Sequence, residues 1–408
     1  MTDFDDGTLH PTGSDTVTEV TSRSWFSRIG SSLTGLLVGP LVILGAIVLL
    51  SWNEGRAVGT ARALTEGAGA VVTVAAGTID PANEGRLVHV TGPVSSGERL
   101  RDAATGVEAD GLRLVRRVEA FQWRETSTSE TRKKLGGGEE TVTTYGYSLG
   151  WTDQPVDGSS FKQPEGHRNP PVALGGERFV PRAVRLGGFT LSPTQAGGLG
   201  ASRPLPVDKW DRAALQKTLG IAAAGQAVDG RIFIGVDATR PRLGDLRISY
   251  EVATTPDATV VARQSGVGFA AFTTTNGRSI EILRDGRMEA AQVFDDAQSG
   301  NTMLTWIGRV GGILLLAFGF GLVLGPLSVL ADVVPLIGDL VGGAASMVAL
   351  AAAVAVGSVT IAVAWFASRP LLSVGLIAVG LAVAFGVRRL AGRRPAARGA
   401  ASGVGMPT

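Results

Sequence analysis

The chain has 408 residues, of which 44% are hydrophobic and only 18% charged, with a formal net charge of +2. That is too apolar for an ordinary soluble protein, and 57 glycines without a Gly-X-Y period exclude a collagen-like fibre. Cysteine is absent, which excludes disulfides, thiolate metal sites and cysteine nucleophiles.

The charges are unevenly placed. Residues 1–28 carry Asp3, Asp5, Asp6, Asp15 and Glu19 against Arg23 and Arg28, and read as a disordered, acidic cytoplasmic head. The next 25 residues, up to Glu54, are uncharged. A helix needs about 20 residues to cross the hydrocarbon of a bilayer, so a first span is expected over 29–52. The run is longer than the apolar region of a signal peptide and leads into Ser51-Trp52-Asn53-Glu54 without an A-x-A-like site. It therefore reads as an uncleaved signal anchor, kinked at Pro40.

Residues 53–303 alternate short apolar runs with Gly, Pro and Asn or Asp turns, the pattern of a strand-rich α+β domain with a core of its own. Strands are expected at 71–74, 87–90, 112–123, 141–151, 231–236, 246–252, 259–262 and 280–283. A hairpin over 118–151 would align Phe121 and Trp123 with Tyr145, Tyr147 and Trp151 as an aromatic cross-strand face, with Gly136-Gly137-Gly138 as its tip. One helix is expected from Asp208, burying Trp210, Ala214 and Leu215. Another should run from Met288 through Ala291 and Phe294 to Ala297.

Uncharged runs at 310–331, 340–368 and 370–387 read as three further spans, bounded as 306–331, 340–366 and 370–387. A charge at mid-bilayer costs about 2.5–3.5 kcal/mol, so Arg309, Asp332, Asp339, Arg369 and Arg388 should mark helix ends. Four transmembrane helices, one N-terminal and three C-terminal, return both termini to one side. Arg388, Arg389, Arg393, Arg394 and Arg398, in a basic tail over 388–408, mark that side as cytoplasmic, which leaves 53–303 and the Gly136–Gly138 tip extracytoplasmic. Trp52, Trp306 and Trp365 then fall at the outer interface.

The segments Ser51-Trp52-Asn53-Glu54-Gly55, GRLVHVTG from Gly85, GLRLVRRVEAFQW from Gly111, Gly166-His167-Arg168-Asn169-Pro170, GDLRISY from Gly244, Val261-Ala262-Arg263-Gln264 and Thr305-Trp306 lie in order between the first span and the later ones. In that arrangement the chain resembles the transmembrane protein 43 family, also called LUMA, over nearly all of residues 50–345. The resemblance implies an integral membrane protein whose large domain, in eukaryotic members, faces the endoplasmic reticulum lumen or perinuclear space. It also implies, for those members, organisation of inner nuclear membrane complexes with lamins and emerin, and it brings no catalytic motif. Arg supplies 33 of the 38 cationic residues, which points to a GC-rich bacterial genome and hence a bacterial inner membrane. A eukaryotic chain would sit in the endoplasmic reticulum or inner nuclear membrane.

Site chemistry is sparse. The histidines are His10, His89 and His167; His89 alternates with valines in an expected strand and reads as structural, whereas His167 sits in a shaped Gly-Pro turn. Glu119 and Glu125 share a strand face with Phe121 and Trp123. The turn from Asp332 to Asp339 is apolar between its two acids, either a short connection or a re-entrant segment able to contact a cation. Glycines four apart, including Gly321 and Gly325, suggest close helix contacts, within one chain or in a homo-oligomer. The interaction candidates are thus His167, Asp332, Asp339, Gly321, Gly325, Phe121 and Trp123. No catalytic, metal or cofactor residues are expected. The partners expected are the lipid bilayer and membrane proteins, not nucleic acid, and the function expected is a non-enzymatic scaffold organising membrane complexes. The alternatives are an ion- or proton-coupled protein using Asp332 and Asp339, or an enzyme of the outer domain.

Overall fold

A computed structural model describes residues 15–220 and 225–368, in two units. One comprises Gly59–Asn301 with the segment ending at Gly30 and Val329–Asp339. The other comprises Ser31–Val58, Thr302–Ser328 and the segment from Leu340. Five helices are described: α1 Trp25–Ala70, α2 Pro193–Gly197, α3 Arg212–Leu219, α4 Ala290–Ala331 and α5 Pro335–Ser368.

The first unit is strand-rich, as its alternating pattern dictates. An eight-stranded sheet has the order Asp15–Arg23, Glu139–Thr152, Arg113–Lys133, Leu246–Thr254, Arg231–Ile234, Gln226–Val228, with Ala201–Leu205 and Glu177–Phe179 pairing off this path. Along Arg113–Ala120 the even-numbered residues point inward, and Leu114, Val118 and Ala120 join Ile232, Ile248, Leu215 and Tyr250 in one core. The seven-stranded sheet runs Ile282–Asp285, Asp257–Ser265, Gly268–Ala270, Phe189–Leu191, Val184–Leu186, Leu87–Ser96, Val72–Ala75. Val88, Val90, Leu186, Phe189 and Val260 fill its core.

The expected hairpin is present, longer than its apolar part. Phe121 lies opposite Trp151 and Trp123 opposite Leu149, and pairing continues to Lys133 opposite Glu139. Residues 15–23 are not a disordered head. They form a strand on the outer edge of the hairpin, Asp15 opposite Tyr147 and Arg23 opposite Glu139. Thr16, Thr18, Val20 and Ser22 alternate with residues of the opposite face, and that period of two, on Thr and Val, favours a strand over a coil. The expected helix near Asp208 starts later, at Arg212, because Asp211 caps it by accepting from Ala214 N. Gly220, at φ +67°, ends it.

In the second unit, α1, α4 and α5 each contain a stretch long and apolar enough to cross a membrane, and these are the three such helices among the described residues. The expected fourth span, 370–387, and the basic tail lie outside the described residues. Both α1 and α4 extend well beyond the expected span limits. Ala46, Leu50, Leu316 and Ala353 form the buried contact among the helices. Among the described residues close approach falls on other glycines than Gly321 and Gly325: outside their own helix turn, no described atom comes within 4 Å of where a β-carbon on either would stand. A β-carbon on Gly39 would instead lie 2.6 Å from Val323 Cγ2 and 2.9 Å from Gly319 O. One on Gly319 would lie 2.8 Å from Ile43 Cγ1, and one on Gly308 2.5 Å from Asn53 Cγ. The four-residue spacing was the right kind of signal. It places glycines on a shared face without saying which face meets another helix.

Candidate functional site

Asp332 and Asp339, the two acids of the interhelical turn, lie in one charge cluster. Asp332 follows α4 and is 1% exposed. Arg28 Nη2 donates to its Oδ2 at 2.5 Å and Lys133 Nζ to its Oδ1 at 2.8 Å. Lys133 also reaches Asp339 Oδ1 at 2.7 Å, and Arg28 pairs with Glu139 at 2.7 Å and donates to the Gly137 carbonyl at 2.6 Å. Three separate stretches therefore meet: the start of α1, the hairpin tip and the turn between α4 and α5. Trp25 Nε1 donates to Val329 O at 2.9 Å, and Gly136 N to Val333 O at 3.2 Å, so backbone as well as charge fastens them. A β-carbon on Gly338 would collide with Asp332 Oδ1, which makes glycine the residue that fits there. Burial pushes the Asp332 carboxyl up, but its bonds from Lys133 and Arg28 outweigh that and hold it below the ordinary aspartate value. Burial lowers Lys133, and the two aspartates more than reverse it.

The sequence placed Gly136–Gly138 in the extracytoplasmic domain and Arg28 in the cytoplasmic head; the tip, Arg28 and Asp332 share one place in the fold.

His167 is buried against aromatic rings. It stacks on Tyr147 at 4.1 Å and meets the edge of Trp123 at 4.7 Å, and its Nδ1 donates to Gln163 O at 3.0 Å. Tyr147 in turn donates to Glu125 at 2.8 Å. Phe121 makes an edge contact with Trp151 at 5.2 Å. The neighbouring Asn169 does what a strand would do: its Oδ1 accepts from Trp123 N at 2.7 Å and its Nδ2 donates to Trp123 O at 3.0 Å. The loop thus completes the sheet edge at Trp123, and His167 is one of its wedges. His89 donates from Nε2 to Met288 O at 2.9 Å, with Thr73 Oγ1 at 3.2 Å from Nδ1, a hydrogen-bonded structural position. Glu119 is engaged by Arg247 at 2.5 and 2.6 Å, apart from the Glu125 cluster.

Two charge clusters carry no signature in the sequence by themselves. In the first unit Arg116, 4% exposed, reaches both oxygens of Asp102 at 2.7 Å and Glu177 at 2.8 Å, while Tyr250 donates to Asp102 at 2.5 Å. Burial pushes Asp102 up, but the bonds from Tyr250 and Arg116 hold it below its usual value. Burial and the Asp102 charge push the Tyr250 hydroxyl far up. In the second unit Glu54, 1% exposed, takes a two-pronged contact from Arg309 at 2.6 and 2.9 Å and a bond from Trp365 Nε1. The Arg309 guanidinium stands 4.9 Å from the Trp306 ring centre and 5.4 Å from that of Trp365. The sequence read these tryptophans as marking the ends of expected spans; their flanking of a cation is seen only in the structure. No group of three or more His, Asp or Glu suited to a metal ion occurs among the described residues.

The family model for transmembrane protein 43 matches residues 120–370. Transmembrane protein 43 of Homo sapiens is 31% identical over 88% of this chain and 90% of its own length, and that of Mus musculus is 32% identical over 87% and 90%. The transmembrane protein 43 homolog of Drosophila melanogaster is 27% identical over 84% of this chain and 92% of its own. No solved structure matches. The match runs from the first arm of the long hairpin through Asp332 to the end of the third apolar helix, and on that extent the chain is a membrane protein belonging to the transmembrane protein 43 family.

Proposed function

We propose that the chain is a non-enzymatic integral membrane scaffold that organises membrane protein complexes. The observation that carries this reading is the double grip on Asp332, which fastens a rigid strand-rich domain to the two segments flanking its apolar helices. Asp102, Arg116, Glu54, Arg309 and His89 are likewise spent on fixed internal partners, as suits a platform more than a moving reaction centre. The reading includes an extracytoplasmic domain core, supported by the Arg-rich segment after Val387.

The ribbon of residues 15–23, 125–133 and 139–147 extends about 30 Å, nine residues at 3.3–3.4 Å each. Thr and Ser crowd both its faces, and its open edges offer unpaired backbone groups to which another protein can add. Supplying or receiving that cover is the work of a scaffold. Ion coupling through Asp332 is the weaker reading, since a cation already engages each of its oxygens.

The test is a single cysteine in place of Thr128 in the otherwise cysteine-free chain. In native membranes its maleimide labelling should be slow and should rise when the purified chain is stripped to a monomer in detergent. Equally fast labelling in both states, with no stoichiometric partner or second copy in crosslinked native membranes, would overturn the scaffold reading.

A further inference from the structure

The short strands Phe272–Thr273 and Ser279–Ile280 form a hairpin whose turn is tied to α1 at two points. Asn276 Nδ2 donates to Gly59 O at 2.8 Å, and Thr275 donates from N and Oγ1 to the Glu66 carboxylate at 2.9 and 2.6 Å. The turn is also closed on itself. Thr274 N donates to Arg278 O at 2.8 Å, Arg278 N donates to Asn276 Oδ1 at 3.2 Å, and Gly277 takes the left-handed backbone, φ +76°, that the tight turn requires.

This bracing sets Arg278 against α1. A β-carbon on Gly59 would lie 2.6 Å from Arg278 Nε and 3.1 Å from its Nη2, so the guanidinium rests on helix backbone that glycine leaves open. The side chains of Thr274, Thr275 and Asn276 are all hydrogen-bonded, whereas the Arg278 guanidinium has no acceptor among the described residues. The hydroxyls of Thr60 and Ser279 likewise make no bond among the described residues.

These three unspent groups line one cavity of 670 Å³, within the range of about 300–1,000 Å³ usual for small-molecule sites. Ala63, Leu64, Ile282 and Ala297 add apolar wall, and Thr60, Ala63 and Leu64 share one face of α1 by their spacing. Glu281, which also lines the cavity, is held by Gln195 Nε2 at 2.7 Å.

We propose that this cavity binds one membrane phospholipid, with the phosphate on Arg278, Thr60 and Ser279 and the glycerol and first methylenes on Ala63, Leu64, Ile282 and Ala297. A guanidinium with free donors meets phosphate oxygens in a forked contact, and hydroxyls can donate to the remaining oxygen. The apolar wall favours a lipid over free phosphate, because only the lipid brings methylenes to bury there. Both helices that line the cavity, α1 and α4, also carry stretches able to cross a membrane, so lipid is the phosphate source at hand. The proposal goes beyond the scaffold reading and does not rest on it.

The test uses the full chain in dodecyl maltoside with Ala297→Cys as its only cysteine, and follows maleimide labelling against added dihexanoyl phosphatidylglycerol. Labelling should slow saturably. Arg278→Gln in that background should raise the half-protecting concentration at least about tenfold. Since the guanidinium bonds to nothing in the protein, the lipid-free labelling rate should stay the same. Sodium phosphate and dihexanoyl glycerol, the two parts of the ligand offered separately, should each protect at least about tenfold less well. A cysteine in place of Val236, exposed and outside the cavity lining, should label at one rate with and without lipid. Absence of saturable protection, equal slowing at Val236→Cys, protection undiminished by Arg278→Gln, or protection as strong from dihexanoyl glycerol would each overturn the proposal. Protection as strong from sodium phosphate alone would mark a site for soluble phosphate and overturn the lipid assignment. None of these outcomes bears on the Thr128→Cys labelling, so the two readings fail separately.

Discussion

The two halves of the strand Arg113–Lys133 are held in different ways. From Arg113 to Gln122 every second side chain is buried, and on that face Arg116 pairs with the buried Asp102, enclosed by core, as well as with Glu177. From Thr126 to Arg132 all residues are exposed, the cross-strand contacts are hydroxyl pairs such as Ser129 with Thr143 at 2.9 Å, and firm attachment returns only at Lys133. The base is fixed by burial and the tip by charge. A strand can thus leave its core for some ten residues and still be anchored, provided its far end meets fixed partners. Here the start of α1 supplies one of them, through Arg28.

Breaking the base should cost most. Asp102→Ala leaves the buried Arg116 with only the largely exposed Glu177 as an acid and takes the carboxylate acceptor from the buried Tyr250 hydroxyl, and loss of one partner of a buried pair costs about 3–5 kcal/mol. The expected result is a lower melting temperature for the whole strand-rich unit, measured on the purified chain.

Asp332→Ala should cost less, about 1–3 kcal/mol, because Arg28 keeps Glu139 and the Gly137 carbonyl. Hydrogen exchange should quicken at the tip and in residues 139–147 while the cores centred on Ile248 and Val260 stay protected. Uniform quickening would mean that base and tip are one cooperative body.

Acid should separate the halves in the same way. Asp332 is depressed when folded, so its contribution is complete above the ordinary value of 3.8 and is lost as pH falls through its lower folded value. Lys133 is raised, so its contribution is complete below 10.5 and is lost as pH rises through its higher folded value. Tip protection should be flat between those limits and fall outside them, and Asp332→Asn should remove the acid limb. The smallest effect is expected from Thr131→Val, which removes an exposed hydroxyl pair with Thr141 and should change stability by no more than about 0.5 kcal/mol.

The sequence made the base of this comparison legible and hid the tip. Alternation located the strands through Phe121, Trp123 and Trp151, and uncharged length located the apolar helices, because both signals are local and periodic. Residues 15–23 were missed because acidic flanks and a short Thr-Val alternation look like a tail until the hairpin edge that receives them is known. Asp332 and Asp339 stood out as acids beside a span. Their partners Arg28 and Lys133 did not, since the pairs join residues 304 and 199 positions apart and each cation had an ordinary local explanation. Among the described residues the close helix contact falls on Gly39 and Gly319 and not on Gly321 or Gly325, for a related reason: spacing specifies a face, and only the packed helices decide which glycines meet.

The most direct measurement of the tip attachment is a crosslink. Lys133 and Asp339 are partly exposed partners of one ion pair, and the chain has no native cysteine, so Lys133→Cys with Asp339→Cys can be joined by a short bismaleimide in native membranes. The account predicts a linked peptide containing both positions in mass spectra, and equal accessibility of the two single variants to an impermeant maleimide from the same side of the membrane. Absence of the link, with the two single variants labelled from opposite sides, would contradict it.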